Sequence, residues 1–182
     1  MTKKIFFLSL IIITTFCFCS CESNGRVHDK NYLRAVSVSG NDEKTVTFTF
    51  FTKDGKYITT SGKDIDSAKK LAELQTGRKI FTGYTEMILV DDLNSIDTLE
   101  YMLHKWKVSP SCIVVYAGEN AEEIFENSTV ERLYGSVKTA IKQEKSPECD
   151  IITVLAELLS DEKSAEVAEI TSDGAVSVHT IN

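Results

Sequence analysis

The clearest pattern in the chain is a strict alternation of apolar and polar positions between residues 33 and 50. It occupies two runs, residues 33–39 and residues 44–50, whose alternating apolar positions are Val36, Val38, Val46, Phe48 and Phe50. Period two with β-branched and aromatic residues is typical of strands that bury one face. The turn residues 40–42 lie between the runs. We therefore predict an antiparallel hairpin with one buried face, and a third strand near residues 56–60 that pairs back onto it.

From Asp64 onward the apolar period becomes helical, with Gly77 as the residue suited to end the first helix. The apolar stripe of this helix is Ile65, Ala68, Leu71 and Ala72. A second stripe, within a helix at about residues 93–105, is Ile96, Leu99, Leu103 and Trp106. Residues 121–126 predict one or two helical turns. Each stripe predicts a helix that packs one face against a sheet.

Two further helices are predicted in the second half of the chain. The stripe of the first is Val130, Leu133, Tyr134, Val137 and Ile141, and the stripe of the second is Ile151, Val154, Leu155, Leu158 and Leu159. Ser128 and Glu131 have the spacing of a capping box, in which Ser128 caps the helix and Glu131 reaches back. Residues 166–170 and 175–181 predict a closing hairpin.

Two short apolar runs, residues 87–90 and 112–116, have the pattern of strands that are buried on both faces. With the helix between them they form a βαβ unit, which implies parallel neighbours and a right-handed crossover. The predicted fold class is therefore α/β (α+β), with a mixed β-sheet, an N-terminal antiparallel hairpin, a βαβ unit and packed helices.

Residues 1–20 have the features of a secretory signal peptide, with Lys3 and Lys4 before a long apolar run. The run is shorter than the roughly 20 residues that span a bilayer. Small Ser20 precedes Cys21, and polar residues follow, as in a bacterial lipobox. We expect Cys21 to carry the lipid and residues 21–31 to form a tether. Cleavage nearby without lipidation, which would release a secreted protein, is the alternative.

The remaining residues, 32–182, are enough for one domain. The whole chain has a formal charge of −7, and residues 1–20 contribute two lysines and no acid, so the rest of the chain is at −9. An acidic domain argues against nucleic acid as a partner and against extended contact with anionic lipid headgroups. Cys112 and Cys149 follow the signal region, and either a disulfide or two buried thiols fits them.

No catalytic motif, phosphate-binding glycine loop or zinc-binding helix occurs in the sequence, so we predict no catalytic residue, no metal and no cofactor. The single histidines, His28, His104 and His179, are interpreted as structural. Asp91, Asp92 and Asp97 lack the glycine and the terminal glutamate of an EF-hand loop, and a calcium-dependent module is the least favoured hypothesis.

Two clusters have two interpretations each. The acidic residues Glu119, Glu122, Glu123 and Glu126 form either a solvated helix start or a docking patch for a basic partner. Residues 80–84, with two aromatic side chains and a glycine, either pack in the core or form an exposed partner surface. The sequence does not separate these alternatives.

Several stretches together resemble the N-terminal domain of the Ger(x)C family, the lipoprotein C-subunits of spore germinant receptors. They are the signal with Cys21, the hairpin at residues 36–50, the stretch 62–64 before a helix, and residues 78–90 with their basic residue, aromatic, glycine and apolar strand. Residues 112–124 and Ser146-Pro147-Glu148 before an apolar helix also fit. Tyr84 and Glu86 stand where the family has histidine and lysine. Family members continue into further domains, so the resemblance implies a chain that holds only the first.

The resemblance implies a non-enzymatic accessory or scaffold subunit in a receptor-like complex, with integral membrane proteins as partners. It would be lipid-anchored through Cys21 on the extracytoplasmic face of the cell membrane, which for the family role is the spore inner membrane. The alternative is an extracytoplasmic lipoprotein that binds a small molecule. Its ligand would lie at the carboxyl edge of the βαβ unit, near residues 91–94 and 118–120.

Overall fold

A mixed β-sheet organises the protein in a computed structural model, which describes residues 29–51, 56–93, 95–118 and 121–182. The chain divides into two units, residues 1–30 and residues 31–182, and the helices described below belong to the second. The strands are β1 Lys30–Ser39, β2 Lys44–Phe50, β3 Tyr57–Gly62, β4 Lys79–Phe81, β5 Met87–Val90, β6 Ile113–Tyr116, β7 Ala165–Ile170 and β8 Val176–Ile181. The helices are α1 Ile65–Thr76, α2 Ser95–His104, α3 Ala121–Asn127, α4 Val130–Lys142 and α5 Ile151–Leu158.

The strands lie in the order β3-β2-β1-β5-β6-β7-β8, and β4 also pairs with β1. The three pairs in the centre, β1–β5, β5–β6 and β6–β7, are parallel. Antiparallel pairs flank them on both sides, namely β1–β2 and β2–β3 at one end and β7–β8 at the other. This is the predicted mixed sheet with an N-terminal hairpin, a third strand that pairs back and a closing hairpin, and the α/β fold class is confirmed.

β1 begins at Lys30, three residues before the predicted start, so residues 30 and 31 of the predicted tether belong to this strand. Within the hairpin Val36 lies opposite Phe48 and Val38 opposite Val46. The prediction of one buried face is wrong, because Thr47 and Thr49 on the other face are buried as well. Their hydroxyls are satisfied by hydrogen bonds, with Thr47 paired to Thr59 and Thr49 to the backbone of Ala35. A buried threonine is tolerated here because its polar atom has a partner.

The predicted βαβ unit is present as β5, α2 and β6. β5 pairs in parallel with β6, with Met87 opposite Ile113 and Val90 opposite Tyr116. All four residues of β5 are buried, and successive side chains of a strand point to opposite faces, so both faces of this central strand are covered. The continuous apolar pattern of residues 87–90 reflects this double burial.

Helix α1 begins and ends at the predicted residues. The Asp64 carboxylate accepts a hydrogen bond from the backbone N–H of Ser67, and Gly77 ends the helix with a left-handed φ of 66°. Only glycine adopts this conformation without cost from a Cβ atom. Two leucines assigned to apolar stripes are exposed, Leu71 in α1 at 44% and Leu159 after α5 at 62%. Their assignment to the buried stripes is wrong, because both side chains face solvent.

The N-cap of α4 is Thr129, not the predicted Ser128. The Thr129 side chain accepts a hydrogen bond from the N–H of Arg132, so α4 begins one residue later than the capping box requires. The Ser128 hydroxyl is buried and makes no hydrogen bond within the described part of the chain. The predicted stripe is otherwise correct, since Val130, Leu133 and Val137 are buried.

We expect Thr129→Ala to lower the free energy of unfolding by about 1 kcal/mol, because it leaves the Arg132 N–H without its cap. Ser128→Ala is the matched control. It removes a hydroxyl that makes no hydrogen bond there, so we expect unchanged or slightly higher stability. Urea unfolding of both variants measures the difference, and an equal or larger loss in Ser128→Ala would restore Ser128 as the cap.

Candidate functional site

The carboxyl edge of the parallel strands brings together residues that follow β5 and β6. The buried Asp91 carboxylate accepts two backbone hydrogen bonds, from Gly40 N at 3.1 Å and from Leu93 N at 2.9 Å. The Ser95 hydroxyl donates to the Asp91 carbonyl at 2.8 Å. Burial raises the pKa of the Asp91 carboxyl above its ordinary value, while the two N–H donors act against that rise. Asp91 therefore ties the β1–β2 turn to the start of α2.

The neighbouring Asp92 has a different environment. Its Oδ1 lies 3.0 Å from Nε2 of His179 on β8, in a pair that is exposed to solvent. The His179 ring stacks on Tyr116 at 3.6 Å between centroids with an angle of 4° between the planes. Burial, followed by the Asp92 carboxylate, raises the pKa of Tyr116. The contact joins the edge strand β8 to the ends of β5 and β6.

These contacts bear on the calcium hypothesis. Asp91 and Asp92 bind different partners, and Asp97 lies in the first turn of α2. Within the described ranges, no group of three or more His, Cys, Asp and Glu side chains has an arrangement that could hold a metal ion. Of the histidines interpreted as structural, His179 contacts Asp92 and Tyr116, which are side chains of neighbouring elements. His104 is the last residue of α2.

A surface cavity of about 600 Å³ lies between the end of the first hairpin and the junction of α3 and α4. Its charged lining residues are Arg34, Lys56, Glu126, Glu131 and Arg132. Arg34 pairs with Glu86 at 2.8 Å and lies 3.8 Å from Glu131. Since both signs of charge line the cavity and Arg34 is already balanced, the lining does not select an anion or a cation.

The acidic cluster at the start of α3 is exposed at Glu122, Glu123 and Glu126. The Glu126 carboxylate accepts a hydrogen bond of 2.7 Å from the Tyr57 hydroxyl, which raises the pKa of Tyr57 to about 12. One of the four acids thus stabilises the contact of α3 with β3. Glu119, the remaining member, lies outside the described residues.

The two cysteines of the domain are free thiols, and both are buried. Burial raises the pKa of the Cys112 thiol and of the Cys149 thiol above the ordinary value. A protonated, buried thiol behaves as a small apolar group and is a poor nucleophile. Of the two alternatives given by the sequence, the structure has the buried thiols.

The aromatic run at residues 80–84 exposes both of its aromatic side chains. Ile80 is buried in β4, whereas Phe81 is 37% and Tyr84 63% exposed. Their rings lie 5.3 Å apart, and each also contacts Tyr32 of β1, at 5.5 Å and 5.9 Å. Of the two interpretations, the exposed surface is the one present. The sequence gives no local signal for Tyr32, because its position depends on the pairing of β4 with β1.

Several predicted residues lie outside the described part of the chain, namely Cys21, His28, Asn94, Glu119 and Asn120. The lipidation of Cys21 therefore stays a prediction. In residues 29–51, 56–93, 95–118 and 121–182, no helix combines the length and the apolar character needed to cross a membrane.

Comparison with known proteins gives one match. Searches among curated proteins and among solved structures find none. Residues 29–172 match the protein family described as Spore germination protein N-terminal domain. The matched segment runs from the start of β1 through β7 and ends before β8, so it contains the first hairpin, the βαβ unit and the helices α1 to α5 described above. The match covers most of the 182 residues, and the chain therefore belongs to the Ger(x)C family of spore germination proteins, of which it contains the N-terminal domain.

Proposed function

We propose that this protein is a lipid-anchored, non-enzymatic accessory subunit of a membrane-bound, germinant-receptor-like complex. The observation that carries the proposal is the family match over residues 29–172. The N-terminal sequence supplies the anchor, because a signal-like segment ends at Ser20 and Cys21. The partners are integral membrane proteins, and the domain acts as a scaffold on the extracytoplasmic face.

A binding role is supported over catalysis because the polar groups at the carboxyl edge of the sheet bind other parts of the fold. The Asp91 carboxylate binds backbone N–H groups, Asp92 binds His179, and the two thiols are buried. A catalytic acid or nucleophile needs a reactive group that faces substrate. These groups instead connect neighbouring elements of the fold.

The decisive experiment is cross-linking of the native protein in its own membrane, followed by identification of the cross-linked partners. We expect integral membrane proteins among them. The Cys21→Ala variant is the control, because without the thiol no thioether to lipid forms, and we expect it to leave the membrane fraction and to lose those cross-links.

Two results would contradict the proposal. A wild-type chain whose intact mass lacks the lipid would show that the anchor assignment is wrong. A wild-type protein that stays a solitary monomer after mild detergent extraction, with no cross-linked partner, would remove the accessory role.

A further inference from the structure

The half-buried Tyr32 and the exposed Phe81 and Tyr84 form a compact aromatic patch at the domain end where β1 begins. Each ring contacts the other two, with centroids 5.3–5.9 Å apart. The backbone permits this packing at Gly83, where a Cβ atom would lie only 3.0 Å from the Phe81 ring. Tyrosine combines an apolar ring with a polar hydroxyl and suits a boundary between an apolar and an aqueous phase.

A basic rim of Arg78, Lys79, Lys105 and Lys107 lies beside the aromatic patch. Lys79 and Phe81 are both exposed in β4, on either side of buried Ile80, so they share the outward face of that strand. The other two lysines flank buried Trp106, whose carbonyl accepts a hydrogen bond from Thr82. The Lys107 carbonyl lies 3.8 Å from where a Cβ atom of Gly83 would be. Residues 105–107 therefore pack against residues 82 and 83, and the exposed side chains of the basic rim belong to segments that adjoin the aromatic patch.

The charge of this surface is opposite to that of the domain. Residues 78–84 and 105–107 contain these four cations and no acid, in a chain with a net charge of −7. Two acids of α1 lie at the margin of this surface. Glu73 lies 3.5 Å from Lys79 and 3.6 Å from Lys69, and the Asp66 carboxylate accepts a hydrogen bond from the Trp106 indole. A cationic, aromatic surface on an anionic protein is complementary to an anionic bilayer, where lysine and arginine meet the headgroups and tyrosine lies at their level.

The position of the patch in the chain brings it close to the anchor of the proposed function, on which this inference rests. Tyr32 follows Cys21 by eleven residues. Even fully extended, eleven residues span at most about 40 Å at 3.3–3.6 Å per residue. An anchor at Cys21 therefore confines the patch to the neighbourhood of the bilayer.

We propose that the aromatic patch and its basic rim dock on the headgroup region of an anionic lipid bilayer. The domain would then lie against the membrane with the start of β1 and β4 facing the lipid. This orientation would leave β8, the fourth strand beyond β1 in the sheet, in water. It replaces the expectation from net charge that the domain avoids anionic headgroups, because the cations are concentrated in one place.

The test is a spin-label depth measurement on the full-length protein in vesicles of phosphatidylglycerol and phosphatidylcholine that contain no other protein. A nitroxide is attached at Tyr84→Cys, and the control label is placed at Val178→Cys. Val178 is 44% exposed on β8, the strand at the other end of the sheet. In the processed, lipidated chain the signal peptide with Cys17 and Cys19 is gone and Cys21 carries the lipid. Cys112 and Cys149 are each 1% exposed, so only the introduced cysteine is labelled.

At an excess of lipid, we expect the label at position 84 to collide more with oxygen, which concentrates in lipid, than with a water-soluble nickel chelate. The label at position 178 should show the reverse. Lys105→Gln/Lys107→Gln should shift the label at position 84 toward water in anionic vesicles and have a smaller effect in pure phosphatidylcholine.

A label at position 84 that is as water-exposed as the one at position 178 would overturn the proposal. So would a label shielded from both reagents, because in these vesicles only a second copy of the chain could cover it. The proposed anchor is tested separately, by measuring the intact mass of the wild-type chain. A mass without the lipid would contradict the anchor. If the lipid is absent, both labelled variants are prepared with Cys17→Ser, Cys19→Ser and Cys21→Ser, so that the introduced cysteine alone carries the nitroxide. The position of the label at an excess of lipid then still decides the docking proposal.

Discussion

Phe48→Ala should lower the free energy of unfolding by about 3–5 kcal/mol, the largest loss expected from a single substitution in this protein. Phe48 lies in β2, is fully buried and packs its ring 6.1 Å from the Trp106 ring at an angle of 27°. Truncation removes the buried ring and leaves a cavity that Trp106 and the surrounding strands cannot fill without moving. Since domains of this size are stable by about 5–15 kcal/mol, the loss is a large fraction of the total.

The matched control is Phe51→Ala, three residues away. Phe51 is 43% exposed, and its ring lies 5.1 Å from the Arg34 guanidinium. A half-exposed ring leaves no cavity, so we expect a loss within about 1 kcal/mol. Urea unfolding measures both, with the midpoint shifted and the slope unchanged. Similar losses for the two variants would contradict the burial of Phe48 between β2 and the Trp106 side chain.

Asp91→Ala should lower the free energy of unfolding by about 1–3 kcal/mol, because Gly40 N and Leu93 N lose their acceptor. Asp92→Ala is the matched control at the next position. It removes the solvent-exposed ion pair with His179, which is worth at most about 1 kcal/mol, and the neighbouring contact with Tyr116. If these carboxylates served a ligand and not the fold, removing Asp91 would leave stability unchanged, and that result would favour the small-molecule alternative.

The loss in Asp91→Ala should also depend on pH. Burial raises the pKa of this carboxyl, so the folded state holds the proton to higher pH than the unfolded state does. Ionisation then costs stability as the pH rises from the ordinary aspartate pKa of about 3.9 through the raised value. Alanine does not titrate, so the difference in free energy of unfolding between the wild type and Asp91→Ala should be largest below about pH 3.9 and smaller near neutral pH. Unfolding curves at several pH values for both proteins measure the difference.

The elements of the fold other than β4 could be predicted because each has a local signal, whereas β4 has three residues and forms only by pairing with β1. Strand alternation in β2, the continuous apolar run of β5 and the glycine that ends α1 depend on neighbouring residues in the chain. The first predicted strand lacks its first three residues, because residues 30–32 show no alternation of their own. The cap of α4 was misplaced by one residue, since Ser128 and Thr129 are both suitable N-caps and only the packing of the preceding helix decides between them.

The arrangement of the candidate site could not be predicted, because it depends on contacts between residues that are far apart in the chain. The sequence suggested the carboxyl edge of the βαβ unit as a ligand site, and the structure joins Asp92 to His179, 87 residues away. The two interpretations of residues 80–84 could be separated only once β4 had paired with β1 and brought Phe81 and Tyr84 to Tyr32. The same holds for Thr47 and Thr49, which look like solvent-facing residues in the alternation and are buried.

By itself, the sequence determined the mixed α/β fold, the order of its elements apart from the three-residue strand β4, and the family to which the chain belongs. These follow from periodicity, turn residues and motif order, which depend on residues close together in the chain. The tertiary structure alone decided which polar groups serve the fold and which aromatic side chains remain on the surface. The physical reason is that burial depends on the element that covers a residue, and in a parallel sheet that element lies far away in the chain.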